Sequence, residues 1–139
     1  MISTAIGREL GLGKGPHSDL ELADAIRSGL PPRALEVVVD TGRLTASELH
    51  DLVGSRRTLL RKRKTGKPLS TGESDRLARL IRVILRAEDA LGDRDKAHRW
   101  LRKENRALDG RRPLDLLGSD VGARVVEQVL GRIEHGLHS

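Results

Sequence analysis

The sequence predicts an all-α fold with two modules, and three observations lead to this prediction. Apolar residues, mainly leucine, recur three and four positions apart in several segments, which is the spacing of one face of an α-helix. Small polar residues that cap helix starts stand before these segments, and Gly or Pro stands after them. No segment of useful length alternates apolar and polar residues, so no β-strand is predicted.

The N-terminal region is predicted to be a flexible arm followed by two short helices. Residues 1–17 contain four glycines and a proline and form the predicted arm. Ser18 is a good N-cap for the first helix. Gly29 and the pair Pro31 and Pro32 end that helix and begin the second one, because proline is favoured in a first turn.

The next two helices are predicted to form a helix-turn-helix. Thr45 and Glu48 make a capping box at the start of a helix that Gly54 ends after about two turns. Ser55 caps the following helix at once, and this helix has a narrow apolar face around Leu59 and a large basic face. A short helix, a tight glycine turn and a basic second helix are typical of helix-turn-helix DNA-binding domains.

The net charge of +6 is concentrated on the second of these helices. Residues 54–69 include seven Lys and Arg and no acidic residue, so the rest of the chain sums to −1. A concentrated positive patch releases counterions when it meets phosphates, which favours double-stranded promoter DNA as a partner over an incidentally basic hairpin. Residues in the first turn are expected to reach base edges, and later ones phosphates. The candidate DNA-binding residues are Thr45, Ser55, Arg56, Arg57, Thr58, Arg61, Lys62, Arg63 and Lys64.

The helix-turn-helix domain is predicted to span residues 18–68, and a C-terminal domain residues 69–139. Pro68 prevents the basic helix from continuing, which indicates the boundary. Ser70 and Glu73 form a second capping box, and the apolar residues that follow recur at helical spacing over about five turns. This segment is predicted to be the longest helix of the chain.

The remainder of the C-terminal domain is predicted to contain two helices and a loop. Asp93 caps the first helix, and residues 105–118 form a loop-rich stretch with one short helical turn. Ser119 or Asp120 caps the last helix, which is expected to end at Gly136 before a three-residue tail. The residues expected to face the core from this helix are Val121, Val125, Val129, Leu130 and Ile133.

The composition argues against an enzyme and against several kinds of binding site. There is no cysteine, which excludes disulfides, thiolate nucleophiles and cysteine-based zinc sites. Trp100 is the only aromatic residue, so a platform that stacks single-stranded bases is not expected. His135 and His138 flank Gly136 beside Glu134, but the glycine and the chain end argue against a metal site. We expect no catalytic residue, no cofactor and no metal.

No membrane or secretion signal is visible in the sequence. The longest purely apolar run is about three residues, far below the ~20 needed to cross a bilayer. The first residues lack the charged and apolar regions of a signal peptide. We therefore expect no membrane association and a cytoplasmic location.

The C-terminal domain contains several short motifs in one order, which are Leu69–Leu80, Ala97–Leu101, Glu104–Leu108, Arg112–Leu117, Gly122 and Leu130–Gly136. Together these motifs resemble the Xre/MbcA/ParS family of antitoxins. Glu104 departs from the family pattern, which usually has proline there, and His135 stands where an aromatic residue is frequent. The resemblance covers about residues 18–139, because the basic helix also resembles an Xre-like helix-turn-helix at Arg57–Leu59, Arg61 and Arg63.

The resemblance implies an antitoxin of a type II toxin–antitoxin system that is paired with a RES-domain toxin. Such toxins resemble ADP-ribosyltransferases and degrade NAD or, in some members, modify a protein. The resemblance also implies that the C-terminal domain occludes the NAD pocket of the toxin and that the N-terminal domain represses the shared promoter. The residues assigned to toxin binding are Arg132, Ile133, Glu134, His135, Gly136, Leu137, His138 and Ser139.

Two other functions remain open at the level of sequence. One is a stand-alone transcriptional regulator whose C-terminal domain dimerises, and it predicts DNA binding without a stable protein partner. The other is a DNA-organising protein, which predicts weak sequence preference and steep salt dependence. A single module of this size binds weakly, so a homodimer on a two-fold operator is expected.

Overall fold

The computed structural model describes residues 2–138, and the side chains of residues 2–136. Within these residues all regular structure is helical, and a single isolated bridge pairs Asn105 with Arg111. The prediction of an all-α fold is therefore confirmed. The elements are α1 Ile2–Glu9, α2 Asp19–Ser28, α3 Arg33–Asp40, α4 Ala46–Leu52, α5 Arg56–Thr65, α6 Thr71–Leu91, α7 Arg94–Arg102, the 3-10 turns η1 Arg106–Leu108 and η2 Pro113–Leu116, and α8 Asp120–His138.

The chain divides into two compact units, residues 1–81 and 82–139, and the division falls inside α6. The sequence analysis places this boundary earlier, after residue 68. The difference arises because the start of α6 is bonded to the N-terminal unit. The N–H of Leu69 donates to the carbonyl of Leu30 at 2.9 Å, and the Leu30 N–H donates to Ser74 Oγ at 2.9 Å.

The N-terminal segment is folded, so the prediction of a flexible arm is wrong for residues 2–10. These residues form α1 and the turn after it, and Ile6 and Leu10 are buried. Glu9 accepts a hydrogen bond from Arg43 at 2.6 Å, which ties the end of α1 to the turn before α4. Gly7 gives close packing instead of flexibility, because a Cβ atom there would lie 2.6 Å from Pro16 Cδ.

The N-terminal unit buries one apolar face from each of its helices. The cap residues predicted from sequence are present: Ser18 Oγ accepts the N–H of Glu21, and Thr45 and Glu48 form the expected capping box. Leucine and valine side chains fill the space between the helices. The large side chains buried there include Leu30, Leu35, Val38, Leu44, Leu49, Val53, Leu59, Leu69, Leu77, Leu80 and Ile81.

The C-terminal unit packs α7 and α8 on the short turn η2. Residues 105–118 contain two 3-10 turns, where the sequence predicts one. Gly122 lets the first turn of α8 approach η2, because a Cβ atom there would lie 2.0 Å from the Leu116 carbonyl oxygen. The side chains that fill the core of this unit include Val83, Ile84, Ala87, Leu101, Leu108, Leu114, Leu117, Ala123, Val126, Val129 and Leu130.

Helix α8 differs from its prediction in two respects. It continues through Gly136 to His138, so Gly136 does not end it. Val121 and Val125 were expected in the core but are 66% and 39% exposed. The helix turns Ala123 inward instead, and this residue is fully buried.

None of the helices in the described part of the chain is long and apolar enough to cross a membrane. Helix α6 has sufficient length, but charged side chains lie along it.

Gly29 provides a test of the close contact between the α2–α3 turn and the start of α6. Its φ is +95°, and a Cβ atom there would lie 2.3 Å from the Leu69 carbonyl oxygen. We expect Gly29→Ala to lower the free energy of unfolding by about 3 kcal/mol, through steric clash and backbone strain. Urea unfolding of the full chain measures the change.

The matched control for this prediction is Gly66→Ala. Gly66 also has a positive φ, +74°, but nothing lies within 4 Å of the position of its Cβ atom. Only the left-handed backbone opposes this substitution, so we expect a loss of about 1 kcal/mol. Equal losses in the two variants would contradict the close contact at Gly29.

Candidate functional sites

The first candidate site is the helix-turn-helix formed by α4 and α5. Thr45 and Ser55 cap the two helices. Thr45 Oγ1 accepts the N–H of Glu48 at 3.1 Å, while the Glu48 carboxylate accepts the N–H of Thr45 at 2.9 Å. Ser55 Oγ accepts the N–H of Thr58 at 3.2 Å and donates to Thr58 Oγ1 at 2.9 Å. These bonds fix where α5 begins and thereby orient its first turn.

The exposed basic face of α5 consists of Arg57, Arg61 and Lys64, with Arg56 beside it. The three residues are spaced i, i+4 and i+7, so they project from one side of the helix. All four side chains are exposed, and none has an ion-pair partner among the described residues. The buried Leu59 lies on the opposite side and anchors α5 to the core. The helix therefore presents uncompensated positive charge to solvent.

Lys62 does not belong to this exposed face, although the sequence analysis assigns it to phosphate contact. Its Nζ donates to Glu73 Oε1 at 2.5 Å, and the two side chains are only 14% and 8% exposed. The charge of Lys62 is therefore paired inside the protein, and this ion pair joins α5 to α6. Arg63 is intermediate, because it is partly exposed and donates to Glu36 of α3 at 3.2 and 3.3 Å.

Glu73 is the carboxylate that organises the turn of the helix-turn-helix. Burial raises its pKa, but hydrogen bonds from Lys62 and from the N–H of Ser70, together with the charge of Lys62, outweigh burial and hold the pKa below its usual value. A Cβ atom at Gly54 would lie 3.0 Å from Glu73 Oε2. The turn therefore packs against this carboxylate, and only glycine fits there without displacement.

Arg76 lies one turn further along α6 and completes this support. Its guanidinium donates two hydrogen bonds, of 2.9 and 2.7 Å, to the carbonyl of Val53 at the end of α4. The carbonyl groups at a helix end have no partner within the helix, so this bond satisfies one of them. Glu73 and Arg76 together fix the turn between α4 and α5.

The second candidate site is the C-terminal part of α8, where the sequence analysis assigns the toxin-binding residues. Arg132, His135 and Gly136 are exposed, whereas Ile133 and Glu134 are half-buried. Glu134 accepts a bond of 3.4 Å from Arg86 Nε of α6. The side chains of Leu137 and His138, and all of Ser139, lie outside the described residues.

The exposed valines extend this site toward the start of α8, and the sequence analysis missed them. Val121 and Val125 lie at the same angular position as Gln128 and Arg132, with spacings of four, three and four residues. The sequence contained a signal, because the stripe Ala123, Val126 and Leu130 is an equally regular inward face.

Comparison with known families gives two matches that together cover most of the chain. Residues 21–82 match the antitoxin Xre-like helix-turn-helix domain. Residues 86–136 match the antitoxin Xre/MbcA/ParS C-terminal toxin-binding domain. The gap between the two matches lies close to the structural division at residues 81 and 82.

Curated relatives carry corresponding names. The chain is 34% identical to "Antitoxin Xre" of Pseudomonas putida, over 86% of this chain and 74% of the relative. It is 31% identical to "Antitoxin Xre" of Yersinia enterocolitica, over 97% and 91% of the two chains. A "Prs ADP-ribosylating antitoxin" of a Sphingobium species is 31% identical over 57% of this chain and 55% of the relative.

The ion pair between Glu73 and Lys62 is tested by Glu73→Gln. We expect a loss of about 2–3 kcal/mol in the free energy of unfolding at neutral pH, because Lys62 is left half-buried without a counter-charge. Glu36→Gln is the matched control, since it breaks the exposed pair with Arg63 and should cost at most about 0.5 kcal/mol. Urea unfolding of the two variants measures both effects.

The same pair predicts how stability depends on pH. The pKa of Glu73 is lower in the folded chain than in the unfolded chain. Its stabilisation is therefore complete above the unfolded pKa and is lost as the pH falls through the folded pKa. The difference in unfolding free energy between the wild type and Glu73→Gln should stay constant from pH 6 to 8 and shrink below about pH 4. A difference that does not change with pH would contradict the ionised pair.

Proposed function

Because this chain belongs to the Xre family of antitoxins, we propose that it neutralises a RES-domain toxin and represses its own operon. The proposal rests on one observation, which is that each of the two units has a helix with an exposed face. The unpaired basic face of α5 lies in the N-terminal unit, and the exposed side of α8 lies in the unit that matches a toxin-binding domain.

Repression of the operon rests on the basic face of α5. Arg56 and Arg57 lie in the first turn of the second helix, the part that reaches base edges in helix-turn-helix proteins, and Arg pairs with two acceptors of guanine. Arg61 and Lys64 lie further along and meet phosphates. Thr45, Ser55 and Thr58 stand at the two helix starts, near the DNA backbone. Lys62 supports the helix from behind instead of touching DNA.

Toxin neutralisation rests on the C-terminal unit, which occludes the active site of the toxin with the end of α8. Arg132, His135 and Gly136 form the exposed part of that end. The name of the Sphingobium relative links an antitoxin with ADP-ribosylation, a reaction that consumes NAD. This link supports a toxin that uses NAD as its substrate.

A homodimer fits the DNA-binding part of the proposal. A single α5 helix of ten residues contacts one short half-site, and two copies related by a two-fold axis read a palindromic operator. The chain acts without catalysis and without a cofactor, since blocking a pocket and covering an operator both require binding alone.

The DNA-binding part is tested by Arg57→Ala and Arg61→Ala on a duplex that contains the promoter of the operon. We expect Arg57→Ala to weaken binding by about 5–150-fold and to relax sequence preference. Arg61→Ala should reduce the slope of log K against log salt by about one, because one phosphate contact is lost. Fluorescence anisotropy at several salt concentrations measures both quantities.

Arg27→Ala on α2 is the control, because it removes one exposed positive charge outside the helix-turn-helix. It should leave both quantities unchanged, and all three variants should still neutralise the toxin. Equal loss of promoter binding and toxin neutralisation in Arg57→Ala would contradict the division of labour between the two units.

Deletion of residues 136–139 tests the toxin-binding part. We expect the truncated chain to bind the promoter like the wild type and to lose most of its ability to protect cells that express the toxin. Cell growth and cellular NAD measure protection. Full protection by the truncated chain would place the toxin-blocking surface elsewhere.

A further inference from the structure

Two valines on α8 are exposed although they are large and apolar. Val121 is 66% exposed and Val125 39%, and they lie one helical turn apart. They are the exposed large apolar residues among the described side chains of the C-terminal unit. Two neighbouring exposed valines form only a small apolar patch, so the rest of this helix face has to be considered together with them.

The valines begin a continuous stripe, which we call the outer face of α8. It consists of Val121, Val125, Gln128 and Arg132, spaced i, i+4, i+7 and i+11, and all four are exposed. The stripe is about 17 Å long at 1.5 Å per residue. An amphipathic helix that lies in a groove of a partner uses this spacing for its anchors.

Salt bridges hold α8 in place from its other side. Glu127 accepts bonds from Arg82 at 2.8 Å and from Arg86 at 3.4 Å, and Arg86 also reaches Glu134 at 3.4 Å. These four residues join α6 to α8 along the flank of the helix. Together with the buried Ala123, Val126 and Leu130, these contacts fix the orientation in which α8 presents its outer face.

The partner that fits the outer face is the toxin and not a second copy of this chain. The face lies wholly within residues 86–136, the segment that matches a toxin-binding domain. Its last residue, Arg132, is followed by the exposed His135. Its flank carries Arg124, which pairs with Asp120 at 2.9 Å, so polar groups surround the valines as they do at the rim of an interface.

We propose that the toxin binds along the whole outer face of α8, with Val121 and Val125 as apolar anchors in a groove of the toxin. This inference rests on the proposed function. The contact then begins three turns before the C-terminal residues that block the active site. The valines supply affinity, and the end of α8 supplies inhibition.

The experiment measures binding of the full chain to the RES-domain protein encoded in the same operon. Val121→Asp and Val125→Asp are compared, one at a time, with the wild type by titration calorimetry. Each should weaken binding by about tenfold or more, because a desolvated carboxylate replaces a buried methyl pair. Both positions face solvent in the free chain, so circular dichroism and the unfolding temperature should be unchanged.

Leu20→Asp is the matched control, since Leu20 is a 79% exposed apolar residue on α2 in the other unit. It should bind the toxin like the wild type, and all variants should bind the promoter duplex with unchanged affinity. Wild-type affinity in both valine variants would overturn the inference and leave the proposed function standing. No binding by the wild-type chain would overturn the proposed function itself.

Light scattering of the free chain tests whether a second copy of this chain, instead of the toxin, occupies the outer face. If the valine variants dissociate a dimer while their affinity for the RES-domain protein is unchanged, the outer face is a contact between two copies and the inference is overturned. An unchanged oligomeric state together with weakened toxin binding supports it.

Discussion

The N-terminal unit depends on one buried carboxylate, that of Glu73. It accepts hydrogen bonds from Lys62 of α5 and from the N–H of Ser70, and it fills the space beside Gly54. A partly buried carboxylate is costly unless positive charge and hydrogen bonds surround it. Here both are supplied, and the pKa of Glu73 is held below its usual value. The ion pair with Lys62 thereby fixes α5 against the start of α6.

Helix α6 contributes residues that support other helices in each of the two units. Glu73 and Arg76, in its first turns, hold the helix-turn-helix through Lys62 and the Val53 carbonyl. Further along, in the second unit, Arg86 forms salt bridges to Glu127 and Glu134 of α8. In each unit α6 thus supports the helix that carries the exposed face described above. The family matches divide the chain in the same segment, between residues 82 and 86.

The basic block of the sequence contains charges with different roles. Arg57 and Arg61 face solvent and have no counter-charge in the part of the chain that the structure describes, while Arg63 is partly neutralised by Glu36. Lys62 is turned inward and is fully engaged with Glu73. Affinity for phosphates depends on the exposed charges only, so the composition of the block overstates how many of its charges are available to a phosphate. The same distinction applies on α8, where Ala123 is buried and Val121 is exposed.

The sequence by itself determined the helices, their caps and the helix-turn-helix, because these depend on residues within one or two turns of each other. The capping box of Thr45 and Glu48 is such a local signal. The tertiary structure alone decided that α1 is folded, that Lys62 points inward and that the first unit extends into α6. Each of these depends on a contact between residues far apart in sequence, such as the bond from Leu69 to Leu30. Periodicity and charge carry no information about such contacts, since they identify a face but not what packs against it.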